Sequence, residues 1–351
     1  MDMHQATQGR IVSVASDATA AEWDSFVAVQ SGGSFYHRFA WKRINERHLR
    51  HMTIFLEVRD GAALVGVLPL VLTRSRIFGR ILCSMPFVNF GGPVAADDQA
   101  TRLLLSAAKE QARALHADYL EIRCVASLDT DLPASLQKVS MTLQLNPDPE
   151  LLWGKFASKH RTNIRRVYKD GFLVRSGGRE LLPEFYSVMQ QSWRELGTPL
   201  YARSYFEAIL DEFPDQTRIF VCHRDGQPAA VAFNGHSADT VEGMWAGATP
   251  LGRQLNANYV LYWEMIKDAC ERGFHRYHLG RSTAGSGAEQ FKKKWNTETC
   301  QLYWYHYRPD GRHSPAVSAD NPRFQMAIAA WRKLPLWATR FVGPPLARVI
   351  P

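Results

Sequence analysis

The run TRIFVCHRDGQPAAVAFNGHSADTVEGMWAGATPLGRQLNANYVLYWEMIKDACERGFHRYHLG (residues 217–280) decides the architecture of this chain. TRIFVCH (217–223), the turn pair Asp225-Gly226 and AAVAFNG (229–235) read as strand, turn and strand, and VEGMWA (241–246) continues the sheet. From residue 256 to 272 the period changes. Tyr259, Tyr262, Trp263, Ile266, Ala269 and Cys270 recur at i, i+3, i+4 and i+7, which marks one buried helical face. Gly273 follows the last periodic residue and stops the helix, and RYHL (276–279) returns the chain to the sheet.

The same plan is visible earlier. TIFLEVR (53–59), the turn Asp60-Gly61 and ALVGVLPLVL (63–72) form a second predicted hairpin. A helix over 99–116, with Leu104, Ala107, Ala108, Gln111, Ala112 and Leu115 at helical spacing, leads to a strand at 119–125. Meander strands followed by a helix and another strand resemble the core of the acetyltransferase fold. The expected class is therefore α+β, with two tandem GNAT (acyl-CoA N-acyltransferase)-like domains, each a mixed sheet flanked by helices. Asn-Pro-Asp-Pro at 146–149 breaks regular structure. It divides the chain into an N-terminal domain (1–147), a C-terminal domain (148–312) and a basic amphipathic tail (313–351).

A length of 351 residues favours two cores over one. With 46% hydrophobic and 22% charged residues, the composition is that of a globular protein. The longest apolar stretch, 65–72, contains Pro69 and falls far short of the ~20 residues of a membrane-spanning helix. Residues 1–10 are polar and lack the layout of a secretory signal, so a cytoplasmic location is expected, with the tail able to touch the inner face of the membrane. Cys83, Cys124, Cys222, Cys270 and Cys300 are scattered and odd in number, which predicts neither a disulfide framework nor a metal site. The balance of 42 basic against 34 acidic residues, a net +8, favours anionic partners without choosing among them.

Four segments carry more polar chemistry than packing needs. KFASKHRTNIRRVYK (155–169) has six basic residues and no acid. On one helix, Arg161 and Arg165 lie a turn apart and can grip a phosphate together; a solvated helix face is the alternative. LGRQLNAN (251–258) occupies the junction where acetyltransferases carry a glycine-rich loop for the coenzyme A pyrophosphate, but without its two glycines. Arg253 there attracts an anion, or Asn256 and Asn258 act as helix caps. GRSTAGSGAEQFKKKW (280–295) reads as a glycine- and hydroxyl-rich loop before a short basic helix. In the tail, Trp331, Trp337 and Phe341 alternate with Arg332, Lys333, Arg340 and Arg348, and no acid follows Asp320. That pattern suits a membrane interface or docking on the folded body. Serine-hydrolase and zinc-protease signatures are missing, and Glu242 and Glu264 are the carboxylates nearest the expected cleft.

HLGRSTAGSGAEQFKKKWNTE (278–298) closely resembles the C-terminal signature of the FemAB family, in particular the members associated with PEP-CTERM/exosortase systems. SKHRTNIRRVYKDGF (158–172), WRELGTP (193–199), NANYVLYWEMIKDACERG (256–273) and KLPLWATRFVGPPLAR (333–348) support it. The resemblance implies an N-acyltransferase that moves an aminoacyl or acyl group onto an amine of a peptidoglycan or exopolysaccharide precursor. It implies no tightly bound cofactor; the co-substrate is aminoacyl-tRNA, acyl-CoA or an acyl carrier protein. The expected acceptor is an anionic envelope precursor or nucleotide-sugar. Carried onto this sequence, Lys159, Arg161 and Arg165 would hold substrate phosphates. Arg281, Ser282, Lys292 and Lys294 would orient donor or acceptor, and Trp245, Asn256, Asn258 and Tyr262 would line the cleft. Two other readings share the fold: an acyl-CoA- or carrier-dependent acylation of a sugar or small amine, and a non-catalytic module binding RNA or another anion.

Overall fold

Two hydrogen-bonded sheets organise the chain, and the computed structural model describes residues 9–76, 78–311 and 322–350. The chain begins with β1 (Ile11–Val14), α1 (Ala20–Val29) and α2 (Ala40–Arg47). A hairpin of β2 (Met52–Asp60) and β3 (Ala63–Ser75) follows, then β4 (Gly79–Ser84), β5 (Val94–Ala95), α3 (Asp98–Ala114), β6 (Tyr119–Cys124) and β7 (Ala134–Ser135). The second half contains β8 (Lys138–Gln144), α4 (Pro149–Lys155), α5 (Ser158–Lys169), β9 (Phe172–Gly177), α6 (Leu182–Leu196) and α7 (Arg203–Glu212). After these come the meander β10 (Thr217–Arg224), β11 (Gln227–Ser237) and β12 (Thr240–Ala248), then α8 (Pro250–Gln254), α9 (Asn258–Glu271), β13 (Arg276–Thr283) and α10 (Gly287–Lys293). The described chain closes with β14 (Glu298–Gln301), β15 (Tyr303–Tyr307), α11 (Pro322–Lys333) and α12 (Leu336–Ala347).

In the first unit the strand order is β1-β2-β3-β4-β6-β15-β7, with β5 pairing to β3. Its core is one sheet face against α3: Leu56, Leu68, Leu82, Leu120 and Ile122 meet Leu104, Ala108 and Ala112. In the second unit the order is β14-β8-β13-β12-β11-β10-β9. Phe220, Ala230, Ala232, Val241 and Tyr277 on one face pack against Val260, Leu261, Met265 and Ile266 of α9. The other face carries Phe233 and Trp245, which meet Phe185 of α6 and Phe206 of α7. Both expected hairpins form. At the second, Asp225 (φ 50°) and Gly226 (φ 73°) supply the two left-handed residues of a tight turn.

The two units do not follow a single cut at 146–149. Of the described residues, those up to 136 together with 302–311 form one unit, and 137–301 with 322–350 form the other. The reason is strand exchange: β8 hydrogen-bonds between β13 and β14, while β15 lies between β6 and β7. The break expected at 312–313 lies outside the described residues.

Three local expectations are corrected. Residues 155–169 are not one helix, because the chain leaves helical geometry at Phe156 (ψ 144°) and restarts after Ala157. Gly280 to Thr283 belong to β13 rather than to a loop, since Arg281, Ser282 and Thr283 pair with Ser140, Val139 and Lys138. Neither Asn256 nor Asn258 caps α9. Asn256 takes left-handed geometry (φ 62°), and Ala257 stands at the cap position without a side-chain hydrogen bond.

Candidate active site

The site begins where two strands part. β12 and β13 run parallel in register only through Thr240↔Arg276, Val241↔Tyr277 and Glu242↔His278. At the next step the backbones approach too closely for side chains. A Cβ on Gly243 would lie 3.1 Å from the His278 carbonyl oxygen, and one on Gly280 (φ 79°) would lie 2.6 Å from the Gly243 oxygen. Beyond that point the register of β13 on β8 also slips, and β12 continues without β13 beside it.

Lys292 of α10 sits at this fork. It is 7% exposed, and its Nζ donates to the carbonyl oxygens of Gly280 (2.8 Å) and Arg281 (3.2 Å). Gly280 lies in the gap where β13 is in register with neither neighbour and Arg281 is where its pairing with β8 resumes, so the ammonium ties α10 to β13 at the fork. Burial, and then the charge of Arg281, bring the Lys292 amine down to about 7.

The fork opens on a cavity of about 390 Å³. Ala246, Gly247 and Ala248 of β12 form its floor, and Ser192, Glu195 and Leu196 of α6 one wall. Asn258 and Tyr262 of α9 face Ala288, Phe291 and Lys292 of α10. Gly247 lets α6 come close, since a Cβ there would sit 2.8 Å from Met189 Sδ. Arg253, on α8, pairs with Glu195 and donates from Nη1 to the Ala248 oxygen at 2.6 Å. Burial pushes the Tyr262 hydroxyl up to about 12, so it stays a neutral hydrogen-bonding group. A buried cationic donor, a neutral phenol and an ion pair around a largely apolar space can orient a carbonyl and stabilise negative charge developing on its oxygen.

The segment between β12 and α9 closes on itself. Thr249 Oγ1 accepts from the Gly252 N–H (3.0 Å), and the N–H groups of Arg253, Leu255, Asn256 and Ala257 donate to Thr249, Leu251, Arg253 and Gly252. Five of its backbone donors are thereby used internally, and they form no open cradle for a pyrophosphate.

Of the residues expected at the site, Asn258, Tyr262 and Lys292 line the cavity. Arg281 contributes its carbonyl and its charge at the fork, and Ser282 is buried beside it on β13. Lys294, just past α10, does not line the cavity; its Nζ donates to Tyr259 Oη at 3.1 Å and lies over the Phe291 ring. Trp245 is a packing residue, wedged against Phe206 (5.2 Å) and Phe233 (5.7 Å). Asn256 makes the left-handed turn before α9. Lys159 is exposed on α5, Arg161 Nη1 donates to the Gly154 oxygen (3.1 Å), and Arg165 stacks on Trp153 at 5.3 Å. These contacts join α5 to α4, and none of the three lines the cavity.

Glu242 is buried and pairs with His278 Nδ1 at 2.9 Å. Burial alone would lower that histidine, but the charge and hydrogen bond of Glu242 outweigh it and the net shift is upward. Glu264 accepts from the Tyr168 hydroxyl on the α5 side of α9. Sequence reasoning did not single out Ser192, Glu195 or Leu196. Only their place in the stretch WRELGTP and its upstream neighbour pointed there, because the wall they make is a tertiary contact between α6 and β12.

Residues 154–293 match the acetyltransferase (GNAT) domain family. A UDP-N-acetylmuramoylpentapeptide-lysine N(6)-alanyltransferase from Weissella viridescens is 28% identical over 157 residues, 43% of this chain and 46% of that protein. The chain thus spans about half the length of that curated relative. Among solved structures, FemX superposes with a TM-score of 0.66 at 16% identity, covering 84% of this chain and 97% of that one. A tandem GNAT protein from the clavulanic acid biosynthesis pathway gives 0.57 at 13% identity, covering 87% and 100%. The fold is therefore a tandem GNAT-like α+β arrangement, and the forked strands carry its cavity.

Proposed function

We propose that this FemAB-like chain is an N-acyltransferase, moving an aminoacyl or acyl group from an activated donor to an amine on an anionic cell-envelope precursor in the cytoplasm. The observation that carries this reading is Lys292, buried at the head of the β12/β13 fork and facing the cavity. The donor carbonyl enters the cavity over Ala246–Ala248. The acceptor amine nitrogen attacks that carbon, its electrons pass to the oxygen, and Lys292 stabilises the oxyanion as an ammonium. Collapse breaks the bond from carbon to the ester oxygen or thioester sulfur, and the proton released by the amine goes to the leaving group. Tyr262 and Asn258 orient the carbonyl, and the Arg253–Glu195 pair borders the entrance. Much of the rate then comes from positioning.

The self-bonded segment from Thr249 to Ala257 favours a donor that is not held by a coenzyme A pyrophosphate at this junction. Aminoacyl-tRNA fits best, and an acyl carrier protein is the alternative. Lys159, Arg165 and Arg166, exposed on α5, would then meet phosphates of the donor or of the precursor. Incubating the purified chain with charged tRNA, acyl-CoA or acyl carrier protein, each with amine-bearing envelope precursors, separates these donors by consumption. Turnover with charged tRNA is expected. Turnover with free acyl-CoA alone would overturn the donor assignment, and silence with every donor would favour an anion-binding module.

A further inference from the structure

We propose that the outer face of the α11–α12 hairpin docks on an anionic lipid bilayer, a property independent of the reaction above. The first observation is that α12 is amphipathic the wrong way round for a helix lying on a protein. Its small residues Thr339, Gly343 and Ala347 are buried, with α12 packed on α6. Its large apolar ones look outward: Trp337 is 67% exposed and Phe341, one turn on, is 77% exposed. Met326 of α11 and Val342 of α12 are exposed as well, at 72% and 48%. Monomeric proteins seldom leave aromatic groups in this state unless something covers them.

The second observation is charge. Lys333 at the end of α11 and Arg340 on α12 are exposed, and the sequence carries no Asp or Glu after Asp320. Aromatic rings among cations match the boundary between anionic headgroups and acyl chains, where a helix lies in the plane of the surface. A second copy of the hairpin is a poorer occupant, because like charges would face each other with no acid on the hairpin to offset them.

The hairpin is fixed to the body rather than hanging from it. Ile328 lies over Gly197, where a Cβ would come within 2.4 Å of its side chain. Arg194 Nη1 donates to the Leu334 oxygen (3.5 Å), and Arg332 Nη2 to the Leu196 oxygen (3.4 Å). Leu196 also belongs to the cavity wall, so the hairpin is anchored next to the cavity.

The test is flotation of the full chain with vesicles of phosphatidylcholine containing about one-third phosphatidylglycerol, against pure phosphatidylcholine. Binding to the first only is expected, weakened by about 0.5 M salt. The double substitution Trp337→Ser, Phe341→Ser should cut partitioning roughly tenfold or more while the melting temperature is unchanged, since both rings are exposed. Failure of the wild-type chain to float with the anionic vesicles would overturn the proposal. So would equal flotation of the double variant, or self-association that the substitutions abolish in the absence of any vesicle binding.

Discussion

Lys292 holds two properties that normally exclude each other, burial and a role for charge. Its amine titrates near 7 because burial, and then Arg281, disfavour the ammonium. If the ammonium stabilises the oxyanion, the rate it supports falls as pH rises through about 7. Acceptor deprotonation works in the opposite direction, so kcat/KM should be bell-shaped with Lys292 setting its alkaline limb. Lys292→Met should lower kcat/KM by about 10²- to 10³-fold and remove that limb; a variant that keeps both would sink the assignment. Stability gives a second readout. In the unfolded chain the lysine stays charged to about 10.4, so between about 7 and that value the unfolded state binds more protons. The wild type should gain stability with pH across this window. The melting temperature of the variant should therefore fall relative to that of the wild type as pH rises across this window. The sequence reading named Lys292 and Lys294 together, and the fold separated them: Lys292 is buried at the cavity, whereas Lys294 is exposed and reaches Tyr259, and Lys293 is exposed and pairs with Glu289.

At the scale of elements, the fork of β12 and β13 makes the cavity, and two glycines make the fork. Gly280→Ala places a Cβ in a left-handed backbone and 2.6 Å from the Gly243 oxygen. The cost should be about 2 kcal/mol or more, read by denaturant unfolding, because both the backbone conformation and the strand approach resist it. A neutral effect would mean that the strands can part further without loss. The hairpins, the long helices and their buried stripes were legible in the sequence, since periodicity and Asp-Gly turns are local properties. The split of residues 155–169 into α4 and α5 was not, because unbroken basic composition carries no signal of the reversal at Phe156. Arg161 and Arg165 both stay on α5, one turn apart, and each also touches α4, at the Gly154 oxygen and the Trp153 ring.

At the scale of the molecule, the two sheets trade strands. A fragment ending at residue 147 would carry β8, which belongs to the second sheet, and lack β15, which completes the first. Fragments 1–147 and 148–351 should each fail to give a cooperative unfolding transition by circular dichroism, and two separate cooperative transitions would contradict the topology. The sequence by itself determined the α+β class, the repeated meander-helix-strand plan and the basic, acid-free tail, because these rest on neighbours along the chain. Only the tertiary structure decided which strands leave their own half, which of three consecutive lysines enters the cavity, and that α12 turns its small residues inward. Each of those outcomes depends on contacts between segments far apart in sequence, where close approach at Gly243, Gly280 and Gly197 selects one arrangement and local pattern is silent.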